Sequence, residues 1–271
     1  MREVVLITGG SSGIGKAIGD YLVSKHYIVY GTSRNPSAYK GTLFKLLPLD
    51  VTKPDTIVEV VSEIIKREGR IDVLINNAGV GITGPIEETP TAQIKKAFDT
   101  NFYGPLEVLK VVVPQMRKQK CGFIINITSI AGYMGLPYRG IYAATKAALE
   151  ITTEAYRMEL MPFGIKMTNV APGDFATNIA SSRYHAPVLE ESPYKEAYAE
   201  TLKMMNEGVT GGNNPIEMGK AIHQIIKTKD PKVHYRVGSR LQKLSVFLKK
   251  ILPDKRYEIM LMKHYKLKGK R

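Results

Sequence analysis

The chain's 271 residues suffice for one large domain or two small ones at ~100–200 residues each. Apolar residues at 44% and charged residues at 24% are ordinary for a folded, water-soluble protein and exclude a disordered, collagen-like or channel-forming chain. Lys and Arg number 39 against 25 Asp and Glu, yet eleven of the former and two of the latter fall between Arg240 and Arg271, so basicity belongs to the tail and no nucleic-acid-binding core is expected.

Met1-Arg2-Glu3 runs directly into the strand-like Val4-Val5-Leu6-Ile7, which is too short and lacks the cleavage site of a signal peptide. No apolar run approaches the ~18–20 residues of a membrane span, and a cytoplasmic protein is expected. The strand Val4 to Thr8 is followed by Ile14, Ala17, Ile18, Tyr21 and Leu22, apolar at helical intervals. Further strands are predicted at Ile28 to Thr32, Phe44 to Leu49, Asp72 to Asn76, Gly122 to Thr128, Ile165 to Val170 and Lys232 to Val237. Helices are predicted near 55–67, 91–119, 141–161 and from Pro215 to Lys227. Strands separated by helices of this length must run parallel through right-handed crossovers, which predicts an α/β, doubly wound, seven-stranded Rossmann-like sheet with ligands beyond the strand carboxyl ends. The single cysteine, Cys121, has no disulfide partner and reads as core filler in a reducing compartment.

The segment Pro172 to Asn214 holds no strand pattern but carries Phe175, Ile179, Tyr184, Val188, Leu189, Tyr194, Tyr198, Leu202, Met204 and Met205. Long and apolar, and placed after a strand end, residues 174–213 read as a substrate lid within a domain of residues 1–239. Beyond it, residues 240–271 form a basic amphipathic extension, with Leu241, Leu244, Phe247, Leu248 and Ile251 at helical spacing beside Lys243, Lys249 and Lys250, and with Tyr257, Ile259, Met260, Leu261 and Met262 after Pro253. Its apolar face packs on the domain or covers the substrate mouth, or else attaches the protein to an anionic membrane surface.

After the first strand, Thr8-Gly9-Gly10-Ser11-Ser12-Gly13-Ile14-Gly15 opens a helix. Glycines at 9, 13 and 15 allow a tight turn and close backbone approach to a phosphate, while the helix N-terminus offers N–H groups to a pyrophosphate. At the end of the second strand, where a carboxylate would hold an NAD ribose, the sequence has Ser33 and Arg34. A guanidinium pairs with a 2′-phosphate that a carboxylate would repel, so NADP(H) is expected over NAD(H), unless Arg34 is merely a solvated loop residue.

Tyr142 and Lys146, four apart in a helical stretch, lie on one face. Ser129 ends a predicted strand before them, and Asn101 lies in the helical region before that. With Thr8-Gly9 through Gly15, Asp50 after the third strand, Asn76-Asn77-Ala78-Gly79 after the fourth, and Pro172-Gly173 with Thr177 after the sixth, this set resembles the short-chain dehydrogenase/reductase family over about residues 3 to 237. Met134-Gly135-Leu136-Pro137, Leu160-Met161-Pro162-Phe163-Gly164 and the phrase Tyr142 to Glu150 are similar to the branch with type 1 17β-hydroxysteroid dehydrogenase and retinol dehydrogenases. The resemblance implies a nicotinamide-dependent oxidoreductase with catalytic Asn101, Ser129, Tyr142 and Lys146. It implies that Asp50 and Asn77 to Gly79 border the adenine side of the cofactor and Pro172, Gly173 and Thr177 the nicotinamide. A homodimer or tetramer built on the helices near 91–119 and 141–161 is implied as well.

A tyrosine hydroxyl exchanges protons with an alkoxide only if its phenolate is stabilised, which Lys146 and an oxidised nicotinamide would do. Ser129 would donate to the developing oxyanion, and Lys146 would hold the nicotinamide ribose while Asn101 organises a water that relays protons. His26, His185, His223, His234 and His264 have no metal-ligand spacing, and no metal is expected. The expected function is NADP(H)-dependent interconversion of a ketone or aldehyde and an alcohol on a hydrophobic steroid-, retinoid- or lipid-like substrate. The alternative is a catalytically silent nucleotide sensor or scaffold of the same fold, which would have no need of Ser129, Tyr142 and Lys146.

Overall fold

The computed structural model describes residues 2–177 and 183–267. Met1, Ile179 of the expected lid, and Lys268, Lys270 and Arg271 of the tail lie outside the described residues.

Seven parallel strands form one sheet: β1 (Val4–Ile7), β2 (Ile28–Ser33), β3 (Lys45–Pro48), β4 (Val73–Asn76), β6 (Gly122–Ile127), β7 (Ile165–Pro172) and β9 (His234–Val237), in the order β3-β2-β1-β4-β6-β7-β9. All seven predicted strands are present. Within β1 every side chain is buried, and alternation sends Val4 and Leu6 to one layer and Val5 and Ile7 to the other. Val4 and Leu6 join Leu74, Ile124 and Met167 under α2 (Pro54–Glu68) and α4 (Gly104–Gln119), through Ile57, Val60, Val61, Ile64, Val108, Val112 and Met116. Val5 and Ile7 join Ile75 and Ile125 under α1 (Gly13–Ser24) and α7 (Ile216–Lys227), through Ile18, Leu22, Met218 and Ile222. Each such fully buried side chain stabilises by ~1.5–3 kcal/mol, so both layers must be covered for the sheet to persist.

The chain builds outward from β1 through β2 to β3, then returns to place β4 on the other side of β1. This reversal opens a crevice at the carboxyl ends of β1 and β4, where the glycine turn and Asn77-Ala78-Gly79 emerge.

Four features depart from the sequence reading. The helix expected over 91–119 is two, α3 (Thr91–Phe98) and α4, joined by a π-helical turn at Asp99–Tyr103 that holds Asn101. The segment after Pro172 does contain a strand, β8 (Tyr184–His185), which pairs in parallel with β5 (Ile82–Thr83); β5 and β8 are two residues each and carry no periodicity. It also contains α6 (Lys195–Thr210). Cys121 is exposed rather than core filler, because it lies in the turn before β6.

The fourth departure concerns the tail, which forms α8 (Arg240–Ile251) and α9 (Asp254–His264). These helices pack against the domain, but through Val246, Tyr257 and partly buried Leu248, Leu252, Met260 and Leu261 on Ile130, Met134 and Ala171. Most of the apolar stripe read from the sequence faces outward instead: Leu241, Leu244, Phe247 and Ile251 are all exposed. Among the described residues no helix is long and apolar enough to cross a membrane.

Candidate active site

The crevice between β1 and β4 is built from backbone. Gly9 has φ +66°, and a Cβ on Gly15 would run into the Gly9 carbonyl oxygen, so the turn closes only with glycine at both positions. Asn77 clamps it: its Nδ2 donates to the carbonyls of Thr8 (3.0 Å) and Gly9 (2.9 Å). In return the Thr8 hydroxyl accepts from the backbone N–H of Asn77 (3.0 Å) and Ala78 (3.1 Å). Ser12 stands at the N-cap of α1 without capping it, and the first turn has no acidic residue, so the helix presents bare N–H groups and a positive dipole end beside Ser11, Gly13 and Ile14. Thr177 meets this turn from the far side, its Cβ 3.4 Å from where a Cβ of Gly13 would stand.

At the end of β2, Ser33 is buried and its hydroxyl accepts from Asn35 N–H at 3.2 Å, while Arg34 is exposed. Burial pushes the Asp50 carboxyl up, but hydrogen bonds from the Thr52 N–H and hydroxyl and the charges of Arg34 and Lys53 outweigh it and hold the group below its usual range. Asp50 and Arg34 therefore border one rim of the crevice. A glycine cradle that any side chain would fill, an uncapped helix end, and a hydroxyl with a cation at the second strand fit a nicotinamide dinucleotide.

The second half of the site gathers at the start of α5 (Gly140–Leu160). Lys146 is 5% exposed, and its Nζ donates to the Ile127 carbonyl at 2.9 Å. Burial lowers its pKa, opposed by the neighbouring Tyr142 and Glu150. Glu150, one turn further along α5, is buried and accepts from the hydroxyls of Thr128 and Tyr133 and from His234 Nδ1 at 2.7 Å. This carboxylate beneath the lysine carried no motif of its own. Ser129 follows β6, and its Oγ accepts from Ala131 N–H at 3.1 Å, which leaves the hydroxyl proton for donation. Ser129 and Tyr142 both border a cavity of about 860 Å3.

Asn101 is fully buried, with its two amide N–H groups engaged by the Val80 carbonyl (2.9 Å) and Thr145 Oγ1 (3.1 Å), and its Oδ1 accepting from Val80 N–H (2.8 Å). The π-helical turn thus pins the Gly79-Val80 turn to α5. A Cβ on Gly79 would stand 3.3 Å from Asn101 Oδ1 and 3.5 Å from Lys146 Nζ, which places Asn101, Gly79 and Lys146 together.

The cavity wall comes from segments distant in sequence. Met204, Met205, Leu248, Met260 and Leu261 supply apolar surface, and Leu241 and Leu244 stand at its rim. Of the apolar residues expected to line it, Phe175, Met204 and Met205 do so. Tyr198 is buried elsewhere, its hydroxyl donating to the carbonyls of Thr83 and Ala186 at 3.1 Å each, and Val188 and Leu189 are exposed. The end of β7 is tied to the tail, since Gln242 of α8 packs on Gly173, forms a capping box with Ser239, and donates to Asp174 Oδ2 at 2.7 Å. Sequence reasoning missed Arg139 and Arg183, which also border the cavity; neither lies in a motif.

Fold and site together define a nucleotide-binding oxidoreductase of the doubly wound class. Residues 3–187 match the family described as short chain dehydrogenase, and the chain belongs to the short-chain dehydrogenase/reductase family. It is 39% identical over 267 residues to the 3-ketodihydrosphingosine reductase of Bacteroides thetaiotaomicron, covering 98% of this chain and 99% of that one. Retinol dehydrogenase 8 of Homo sapiens is 30% identical over 265 residues, covering 90% and 84%. A solved short-chain dehydrogenase from Streptomyces avermitilis superposes with a TM-score of 0.80 at 33% identity, over 98% of this chain and 97% of that one.

Proposed function

We propose that the protein is an NADPH-dependent reductase of a long-chain lipid ketone. The observation that carries this reading is one cavity bordered both by Ser129 and Tyr142 and by an apolar wall to which α8 and α9 contribute Leu248, Met260 and Leu261. Its volume of about 860 Å3 suits a bulky apolar ligand. Relatedness over nearly the full chain to a reductase of a keto-sphingoid base favours a single-chain lipid over a steroid or retinoid.

In this reading Gly9, Ser11, Ser12, Gly13, Ile14 and Gly15 hold the pyrophosphate, with Asp50 and Asn77-Ala78-Gly79 along the adenine side. Ser33 and Arg34 receive the 2′-phosphate, and Pro172, Gly173 and Thr177 flank the nicotinamide. The cofactor, when bound, supplies a hydride to the carbonyl carbon. Ser129 donates to the carbonyl oxygen as charge develops there, and Tyr142 delivers its proton to that oxygen, so that ketone, NADPH and one proton give alcohol and NADP+. Lys146, held by the Ile127 carbonyl with Glu150 favouring its charge, would stabilise the phenolate left on Tyr142 and would hold the nicotinamide ribose of a bound cofactor. Asn101 acts as a positioning residue, because its amide donors are engaged in joining Val80 to α5.

The test is a panel of lipid ketones, steroids and retinal with NADPH and NADH. The highest kcat/KM is expected for a long-chain lipid ketone with NADPH; absence of turnover with every carbonyl would favour the nucleotide-sensor reading. Domain 1–239 and extension 240–271 are proposed to work as one unit, since the extension walls the cavity.

The exposed stripe Leu241, Leu244, Phe247 and Ile251, flanked by Arg240, Lys243 and Lys250, is proposed to rest on an anionic lipid surface from which such a substrate reaches the rim. Co-sedimentation with anionic vesicles at low salt is expected, and Phe247→Glu with Ile251→Glu should abolish it. Binding that survives both changes would remove the stripe from the account. Self-association is proposed through α4 and α5, where Ile151 and Met158 are exposed; light scattering of Ile151→Glu should then show a monomer.

A further inference from the structure

Four of the polar side chains that border the cavity are Ser129, Arg139, Asp174 and Arg183, and three of these are already engaged. Arg139 lies over the Tyr142 ring, 5.5 Å from its centre, and hydrogen-bonds to Tyr265. The Ser129 hydroxyl oxygen accepts from Ala131, and its proton serves the carbonyl. Asp174 accepts from Gln242. The fourth is Arg183. It is 9% exposed, its Nη1 is buried with no hydrogen-bond partner among the described residues, and the side chain borders the cavity.

This orphan is built in. Arg183 immediately precedes β8, whose pairing with β5 is extended by a hydrogen bond from Tyr184 N–H to the Gly81 carbonyl at 3.0 Å. The stem of the side chain crosses Gly81, where an added Cβ would stand 2.7 Å from Arg183 Cγ, so the absence of a side chain at 81 makes room for it. Burial and then the like charge of Arg139 disfavour the guanidinium, while Tyr142 and Asp174 are near enough to favour it without bonding to it. A buried guanidinium nitrogen lacking an acceptor is costly, and the cost falls when a ligand brings one.

We propose that Arg183 is a specificity-determining residue that donates to a second oxygen of the substrate, on the same chain as the ketone being reduced. The inference rests on the reading of this cavity as the place where a ketone is bound. The shared chemistry is an acceptor oxygen, a hydroxyl or a carboxylate, on an otherwise apolar chain. Arg183 thereby fixes which end of a long lipid faces Tyr142.

The experiment compares three ketones of equal chain length on the full chain loaded with NADP+: a 1-hydroxy-2-amino-3-ketone, a 3-oxo acid, and a plain ketone with no head group. Binding is read by calorimetry, and reduction by NADPH consumption. At least one oxygen-bearing ketone is expected to bind ~10-fold or more tightly than the plain one, and Arg183→Met should erase that preference while leaving the plain ketone and NADP+ unchanged. Arg183→Lys should fall between, and it carries the test if the Met variant does not fold. Whichever head is preferred separates hydroxyl from carboxylate. No preference in the wild type, no binding of any ketone, or an equal loss for all three in the variants overturns the proposal. If the preference holds but no ketone is reduced, the reductase reading falls and the assignment of Arg183 stands.

Discussion

The two halves of the site are made differently. The half proposed to hold the cofactor presents backbone, a glycine turn and an uncapped helix end fastened by a clamp between Thr8 and Asn77, contributed by short stretches after β1 and β4. The half proposed for the substrate is side chain, assembled from Gly81 to Thr83, Ser129 to Tyr142, and a wall between Asp174 and Tyr265. A backbone cradle tolerates almost no substitution at its contact points but constrains few positions. A side-chain wall can be rebuilt for a new substrate without disturbing the sheet that supports it.

The comparison can be broken most directly at Tyr142, where the halves meet. Tyr142→Phe is expected to lower kcat by at least ~1,000-fold, a loss of ~4 kcal/mol, with NADPH affinity unchanged by fluorescence titration. A rate within about tenfold of wild type would show that Tyr142 is not the proton donor. Next in size, Gly15→Ala drives a methyl group into the Gly9 carbonyl and Asn77, and NADPH affinity should fall by ~100-fold or ~2.7 kcal/mol while the sheet remains folded by circular dichroism.

Arg34→Ala sharpens the contrast inside the cofactor half, since NADPH binding should weaken by ~1–3 kcal/mol and NADH binding should not. Equal loss for both would make Arg34 a fold residue. Gln242→Ala, on the substrate side, removes the reciprocal half of the α8 capping box and the contact to Asp174, and should cost ~1 kcal/mol in denaturant unfolding and raise the ketone KM more than the NADPH KM.

The smallest effect is electrostatic. Burial places the Lys146 pKa below its ordinary 10.5. Between the lowered value and 10.5 the unfolded chain holds a proton that the folded chain has released, so this group makes stability rise with pH across that window, and below it the folded state bears the whole penalty. Denaturant midpoints of Lys146→Met should lack that rise, and parallel pH profiles for variant and wild type would contradict it.

Legibility in the sequence followed the same division. The seven strands, the parallel order and the glycine turn could be read because each rests on local spacing, strand runs and a turn that requires glycine, whereas Ser129, Tyr142 and Lys146 were expected through resemblance to a family, and the structure sets the first two on one cavity with Lys146 buried beside Tyr142. Asn101 was expected as a site residue through the family resemblance, but the π-helical turn that buries it was not, since a one-residue change in helical pitch leaves no mark in periodicity. Arg183 and Glu150 were not singled out because one arginine in a loop and one glutamate on a helix look like solvated residues until their neighbours are known.

The tail shows most clearly what sequence alone determines. Its helices and positive charge follow from the spacing of apolar residues and a count of lysines, both properties of the chain by itself. Which face is buried does not. Val246 and Tyr257 meet Ile130, Met134 and Ala171 because β7 and the turn after β6 come to lie beside the tail only in the folded chain, and this docking turns Leu241, Phe247 and Ile251 outward. Local patterns determine which elements form; only the tertiary structure, by bringing distant segments within van der Waals reach, decides which of their faces become core, cavity wall or surface.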